Sequence, residues 1–199
     1  MIAYLAGTFK QLDPTHVWID VHGVGYEVKI SLQTYSEIKG KEQGMLLTYL
    51  HIKEDAHTLY GFTHAEEKNL FLQLISISGV GPNTGLMILS SLKTQEIIEA
   101  ILYGDHKTIQ QVKGIGLKTA QRIVLELKDK VNKTAVADLP SGQPVAAESS
   151  NKTKEEALQA LMTLGFAKAV AEKNILAVLK KSGPNISLED LIKASLKIN

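Results

Sequence analysis

The chain has 199 residues and a formal net charge of +1, and it contains no cysteine, which excludes disulfide bonds and thiol chemistry. Its hydrophobic fraction of 44% is typical of water-soluble globular proteins, and no apolar run is long enough to span a membrane. The start of the chain lacks a basic segment and a long apolar core, so we expect no signal peptide and a cytoplasmic protein.

Residues 1–63 have the pattern of a small all-β domain. Short runs rich in β-branched and aromatic residues predict five strands. These runs are Ile2–Leu12, His16–His22, Tyr26–Ile30, Met45–Ile52 and Thr58–Phe62. Gly23 and Gly25 are expected to bend the chain before the third strand, and residues 33–41 are compatible with one helical turn. Five strands in about 60 residues predict an OB-like β-barrel.

The predicted turn before the last strand is acidic, with Glu54 and Asp55 between Lys53 and His57. Two interpretations remain open for this turn. It is either a solvated hairpin tip or a negatively charged wedge that repels phosphates. In the second case each carboxylate would cost about 1 kcal/mol or more beside a phosphate at the protein surface.

Residues 64–134 change to a helical periodicity. Thr63, with Glu66 three residues later, predicts a capping box for the first helix, and Asp105 predicts the cap of a short later helix. This segment carries a charge of +2, with nine Lys and Arg against seven Asp and Glu, whereas residues 1–63 carry −2. The mild positive charge favours the helical segment as the part that meets nucleic acid.

Two Gly-x-Gly turns, 35 residues apart, lie between predicted helices of this segment. Glycine permits a sharp turn, and the helix that follows presents unpaired amide groups at the positive end of its dipole. Such a helix start can bind one phosphate without reading base sequence, so we predict a DNA-backbone site at each turn. The predicted DNA-binding residues are Gly79, Val80, Gly81, Asn83, Thr84, Gly114, Ile115, Gly116, Lys118, Thr119 and Arg122.

Other interpretations of these turns are weaker. Lys118 and Thr119 resemble the end of a nucleotide-binding P-loop, but Leu117 replaces the glycine that this motif requires. A DNA glycosylase of this type would need a catalytic carboxylate such as Asp129, which lies between two lysines and is better explained by surface ion pairs. A plain scaffold with glycine turns also remains open. The six histidines have no ligand spacing, so we expect no metal, no cofactor and no catalytic residue.

The C-terminal third has a different composition. Small and polar residues with two prolines predict a flexible linker over residues 135–152. Thr153 and Glu156 then predict the cap of the first of three short helices in residues 153–199. The loop Leu164-Gly165-Phe166 resembles that of ubiquitin-associated (UBA-like) three-helix modules, which dock other proteins more often than they catalyse reactions.

With these segments in this order, nearly the whole chain resembles the RuvA family of bacterial proteins that recognise Holliday junctions. The resemblance lies in five stretches: Met1-Ile2-Ala3-Tyr4-Leu5, Gly23-Val24-Gly25-Tyr26-Glu27-Val28, Glu54-Asp55-Ala56-His57-Thr58-Leu59-Tyr60-Gly61-Phe62, Gly79-Val80-Gly81-Pro82 and Gly114-Ile115-Gly116-Leu117-Lys118-Thr119-Ala120. The resemblance implies an α+β multidomain protein: an OB-like barrel, a tandem helix-hairpin-helix domain, a linker and a three-helix bundle.

The resemblance also implies a function. A homotetramer formed through residues 1–63, with either one or two tetramers per junction, would hold a four-way junction open and square-planar, with Glu54 and Asp55 as an acidic pin at its centre. Residues 153–199 would dock the ATP-driven motor RuvB for branch migration in recombination and in DNA repair, including the SOS response. The resolving endonuclease RuvC is a further implied partner. Asn83 stands where many members of the family carry a basic residue, so the first hairpin is expected to bind less strongly through its side chains.

Overall fold

A computed structural model describes residues 1–135, 145–183 and 186–198 and divides the chain into two compact units, Met1–Leu139 and Pro140–Asn199. The first unit contains two buried apolar clusters, and the second contains one of its own. Across the described ranges, no helix combines the length and the apolar character that crossing a bilayer requires.

The first unit begins with a closed five-stranded barrel, which confirms the predicted architecture. Its strands are β1 (Tyr4–Asp13), β2 (His16–Val21), β3 (Val24–Ile30), β4 (Gln43–Ile52) and β5 (His57–Phe62). Their order around the barrel is β1-β2-β3-β5-β4, with β3 and β5 parallel and the other strand neighbours antiparallel. The interior is filled by alternate strand residues, among them Val17, Ile19, Val28 and Ile30.

The turn between β2 and β3 differs from the prediction that Gly23 and Gly25 both bend the chain. His22 and Gly23 make the turn, with φ angles of 51° and 88°, and the Asp20 side chain accepts a hydrogen bond from the Gly23 amide at 2.9 Å. Gly25 lies inside β3, paired with Asp20. The expectation was wrong for Gly25 because a two-residue turn needs positive φ only at His22 and Gly23.

Helix α1 (Leu32–Ile38) follows β3 and is longer than the single predicted turn. Ser31 caps it by accepting a hydrogen bond from the Thr34 amide at 3.0 Å. The Gln33 side chain donates to the main-chain oxygens of Leu89 and Leu92, at 2.8 and 2.6 Å. These bonds join the barrel to the helical part of the same unit.

The described part of the first unit continues with five helices: α2 (Ala65–Ile75), α3 (Pro82–Ser91), α4 (Thr94–Tyr103), α5 (His106–Gln110) and α6 (Leu117–Ala135). The predicted capping box at Thr63 was wrong. His64 is the residue before α2, and the buried Thr63 Oγ1 has no partner among the described residues. The Asp105 cap is confirmed, because its carboxylate accepts from the amides of Lys107 and Thr108.

Barrel and helices share one hydrophobic core. Tyr60 and Phe62 of β5 are buried against Phe71 of α2, with ring centroids 5.3 and 4.9 Å apart, and Tyr49 meets Phe71 edge-on at 5.7 Å. Each such aromatic pair contributes about 0.5–1.5 kcal/mol beyond the burial of its surface. The helical part is therefore fixed to one face of the barrel rather than joined by a hinge.

The second unit contains α7 (Val145–Thr163), α8 (Lys168–Ser182) and α9 (Leu188–Leu196) around a small apolar core. Gly165, with φ of 97°, makes the predicted break after α7. Helix α7 begins at Val145, eight residues before the predicted cap at Thr153. Of the predicted linker 135–152, residues 136–144 lie outside the described residues.

A buried carboxylate lies where α1 meets α2. Glu67 is only 4% exposed and accepts hydrogen bonds from the hydroxyls of Ser31 and Thr34, the second at 2.9 Å. Burial raises the pKa of the Glu67 carboxyl, and the two hydroxyl groups oppose this effect only in part. Folding thus favours the protonated form of Glu67. The stability that this carboxyl contributes is fully present below its ordinary pKa of 4.5 and is lost as the pH rises through its pKa in the folded state.

The exchange Glu67→Gln, which keeps the shape and removes the charge, should therefore change how stability depends on pH. We expect the variant to gain stability relative to the native chain as the pH rises from 4 to 7, by about 1 kcal/mol or more. Urea unfolding followed by the fluorescence of Trp18, the single tryptophan, measures this in the first unit. Parallel pH profiles for the two proteins would contradict it.

Candidate nucleic-acid interface

The two Gly-x-Gly turns have the same main-chain structure. Hairpin 1 joins α2 to α3 through residues 76–81, and hairpin 2 joins α5 to α6 through residues 111–116. Gly79 and Gly114 both have positive φ, at 92° and 86°. The hydrogen bonds also repeat with a shift of 35 residues: Val80 to Ile77 and Ile115 to Val112, each at 3.0 Å from amide to carbonyl.

The residue between the glycines is an anchor in both hairpins. Val80 and Ile115 are 4% and 6% exposed and belong to the main hydrophobic core. Their amides already donate within the turn. These two predicted DNA-binding residues therefore hold the loop in place, and their own amide hydrogens are not available to a phosphate.

The amides that follow are available. The first main-chain hydrogen bond of α3 runs from the Gly85 amide to the Gly81 carbonyl. The first one of α6 runs from the Ala120 amide to the Gly116 carbonyl. In the described part of the chain, the amides of Gly81, Asn83 and Thr84 have no acceptor. The same holds in hairpin 2 for Gly116, Leu117, Lys118 and Thr119. The four glycines have open space around them, so a phosphate can approach closely.

Asn83, in the first turn of α3, is tied to the barrel. The Tyr60 hydroxyl donates to Asn83 Oδ1 at 3.1 Å. Burial raises the pKa of the Tyr60 hydroxyl, with a smaller effect from Tyr49, so it remains a donor at neutral pH. Because Oδ1 accepts this hydrogen bond, the side-chain nitrogen Nδ2 of Asn83 is the side-chain atom left to donate to an anion.

Of the predicted basic contacts, Lys118 is exposed at the start of α6, beside Thr119, which is half-buried. Arg122 has a different environment. Its Nε bonds to Glu126 Oε1 at 2.8 Å, and its Nη1 donates to the Ser78 carbonyl of hairpin 1 at 3.3 Å. Arg122 thus connects the two hairpins. Sequence reasoning missed Ser78, because a main-chain acceptor leaves no signal in residue type.

The acidic turn is a short loop between β4 and β5, closed by a hydrogen bond from the Lys53 amide to the Ala56 carbonyl at 2.9 Å. Glu54 and Asp55 are both exposed, and none of the ion pairs among the described residues includes either carboxylate. Both carboxylates therefore lie at the end of the barrel without an ion-pair partner among the described residues.

The described residues include no group of three or more His, Cys, Asp or Glu side chains arranged to hold a metal ion. Asp129, the carboxylate considered for a glycosylase, lies on α6, whose side chains beyond Lys128 are outside the described ones. The two hairpins thus have the geometry of a binding surface made of main-chain amides and a few cations.

Comparison with known proteins assigns the family. Residues 1–61 match the RuvA N-terminal domain, 71–129 a SAM-like helix-hairpin-helix tandem and 153–198 the RuvA C-terminal domain. The chain belongs to the RuvA family. It is 52% identical over its full length to a protein of Cytophaga hutchinsonii, and that protein is also covered completely.

Two other RuvA relatives are similar over their whole length. A protein of Amoebophilus asiaticus is 48% identical, with 99% of this chain and all of the relative covered, and one of Porphyromonas gingivalis is 43% identical, with both chains covered completely. All three are described as a Holliday junction branch migration complex subunit. The match to the helix-hairpin-helix tandem covers both hairpin 1 and hairpin 2.

The two glycines of hairpin 1 should respond differently to substitution. Gly81 has an extended backbone, with φ −84° and ψ 170°, and open space around it, so the Gly81→Val variant should fold normally. The valine side chain should block the neighbouring amides and weaken DNA binding about tenfold. Gly79→Val should also lose about 1–2 kcal/mol of stability, because φ of 92° is strained for a side chain.

Thermal unfolding and electrophoretic mobility shifts measure the two effects separately. Gly25→Val is the matched control, since Gly25 also has open space and no positive φ but lies on the barrel strand β3. Equal DNA binding by the Gly81 and Gly25 variants would contradict the role of the hairpin amides.

Proposed function

We propose that the protein is a non-catalytic DNA-binding subunit that recognises Holliday junctions and takes part in branch migration. The observation that carries this is the pair of hairpins with identical hydrogen bonding and unpaired amides. Relatives described as Holliday junction branch migration complex subunits support it. Contacts from main-chain amides hold the sugar–phosphate backbone and carry no base sequence, so selection has to come from the shape of the DNA.

The residues of the site divide into three roles. Gly79, Gly81, Gly114 and Gly116 shape the loops and leave room for a phosphate. Asn83, Thr84, Lys118 and Thr119 supply donors at the helix starts. The remaining residues, Val80, Ile115 and Arg122, hold the hairpins in the core and against each other.

Recognition of four arms follows if four copies assemble with closed four-fold symmetry. Each subunit then binds one arm through two hairpins, and the weak individual contacts add up to a multivalent interaction. Residues 1–63 would form the inner part of this homotetramer. One tetramer, or two on opposite faces, would hold the junction open and square-planar.

The second unit is proposed to dock the motor. This unit exposes Leu164 in the turn after α7 and Val170 and Leu176 on α8, at 60, 47 and 45%, which offers apolar surface to a protein partner. Residues 153–199 would recruit the ATPase RuvB, while the endonuclease RuvC would act on the same junction. The protein itself would hydrolyse neither ATP nor DNA, and it would act in the cytoplasm.

A binding experiment tests the proposal. The purified protein should bind a synthetic four-way junction about a hundredfold or more tightly than linear duplex of the same length, and its mass in solution should be that of a tetramer. A chain ending at Leu139, which keeps the complete first unit, should bind the junction equally well but fail to stimulate RuvB. Equal affinity for linear duplex would refute junction recognition.

The acidic turn gives a prediction with the opposite sign. Replacing Glu54 and Asp55 by Gln and Asn removes a repulsion of about 1 kcal/mol for each carboxylate that lies beside a phosphate. Junction affinity should therefore rise about fivefold for each such carboxylate that is removed. Base pairs at the junction centre should open less, which 2-aminopurine fluorescence reports. The matched control is Glu42→Gln, an exposed carboxylate next to β4 and away from this turn. Weaker junction binding by the double variant would exclude a pin that repels phosphates.

A further inference from the structure

Hairpin 1 has the amides of a phosphate site but no cation of its own. The residues 35 positions before Lys113 and Lys118 of hairpin 2 are Ser78 and Asn83. Hairpin 1 therefore offers a phosphate the partial positive charge of the helix start and no charged side chain of its own, whereas hairpin 2 adds full charges. The Arg122 guanidinium group that reaches the Ser78 carbonyl comes from α6 and is already paired with Glu126. A cation for hairpin 1 therefore has to come from another part of the chain.

The barrel provides one through the register of its strands. His16 of β2 pairs with Lys29 of β3, and Lys29 pairs with Tyr60 of β5. Paired residues on neighbouring strands point to the same face, and strands lie about 4.8 Å apart. Because Val28 and Ile30 are buried inside the barrel, this row lies on its outer face.

The row leads directly to hairpin 1. Its third member, Tyr60, donates its hydroxyl hydrogen to Asn83 Oδ1 at 3.1 Å. Lys29 is the next residue along the row from Tyr60, so it lies one strand away from the side chain that contacts the start of α3. His16, at the far end of the row, already contacts other side chains: its Nε2 lies 3.4 Å from Asp13 Oδ2, and its Nδ1 lies 3.3 Å from Thr15 Oγ1.

A cleft of about 330 Å³ confirms that these residues share one space. It is lined by Thr15, His16, Glu27, Lys29, Asn83 and Leu86. Within the ranges that the structure describes, Lys29 belongs to no ion pair, so its ammonium group is available to a ligand. Glu27, two residues away on the same face, is the opposing charge in the cleft.

We propose that Lys29 supplies the cation of hairpin 1 and contacts the DNA phosphate that the amides of Gly81, Asn83 and Thr84 hold. This rests on the proposed function, since it assigns a further binding residue to the same interface. A DNA strand at hairpin 1 is then held from two sides, by α3 and by the barrel. Glu27 weakens the attraction by its negative charge.

Salt dependence of junction binding tests this assignment. Lys29→Gln should weaken binding several-fold, and the slope of log K against log salt should become shallower by about 0.9 for each subunit bound to the junction. Lys10→Gln is the matched control, because Lys10 is an exposed lysine on another strand of the same barrel. Glu27→Gln should act in the opposite direction and tighten binding.

A rescue variant locates the effect. Adding Asn83→Lys to the Lys29→Gln chain places a cation on hairpin 1 itself and should restore both the affinity and the slope. If Lys29→Gln behaves as Lys10→Gln does, or if Asn83→Lys restores nothing, the assignment of Lys29 to hairpin 1 is wrong. Failure of the native chain to prefer a junction over duplex would instead refute the proposed function.

Discussion

The burial of one apolar side chain in each Gly-x-Gly turn is the constraint on which the interface depends. Val80 and Ile115 enter the main core, and this fixes the chain on both sides of them. The glycine before each one takes the positive φ that the turn needs, and the following helix starts at a defined place with its first amides unpaired. A polar residue at either position would free the loop and lose the common orientation of those amides.

A second constraint relates the hairpins to the barrel. The aromatic contacts of Phe71 with Tyr60 and Phe62 fix α2, while the Gln33 side chain holds the C-terminal end of α3. Hairpin 1 lies between these two attachments. The distance between its unpaired amides and the acidic turn is therefore a property of the folded unit. Shape selection needs such rigidity, because a hinged pair of sites would fit linear and branched DNA equally well.

Much of this could be predicted from the sequence because the deciding signals are local. Alternation of apolar residues predicted the strands of the barrel, and the spacing of Gly79 and Gly114 predicted two equivalent hairpins. The errors arose where tertiary contacts outweigh local preference. Thr63 has the sequence of a helix cap, yet α2 starts after His64. The hydrogen bond from Arg122 to the Ser78 carbonyl was not foreseen at all, because only the folded arrangement of the two hairpins brings these residues near each other.

Strand register is the long-range effect that is hardest to predict from the sequence. It decides where on the surface single charged side chains lie. A net charge of +1 gives little attraction to DNA over the whole surface. What matters is where single charges lie. Hairpin 2 carries lysines in its own sequence, whereas hairpin 1 is brought beside Lys29 by the pairing of β3 with β5. In the proposed interface the two hairpins therefore share one main-chain design but take their cations from different parts of the chain, and DNA binding at hairpin 1 depends on an intact barrel.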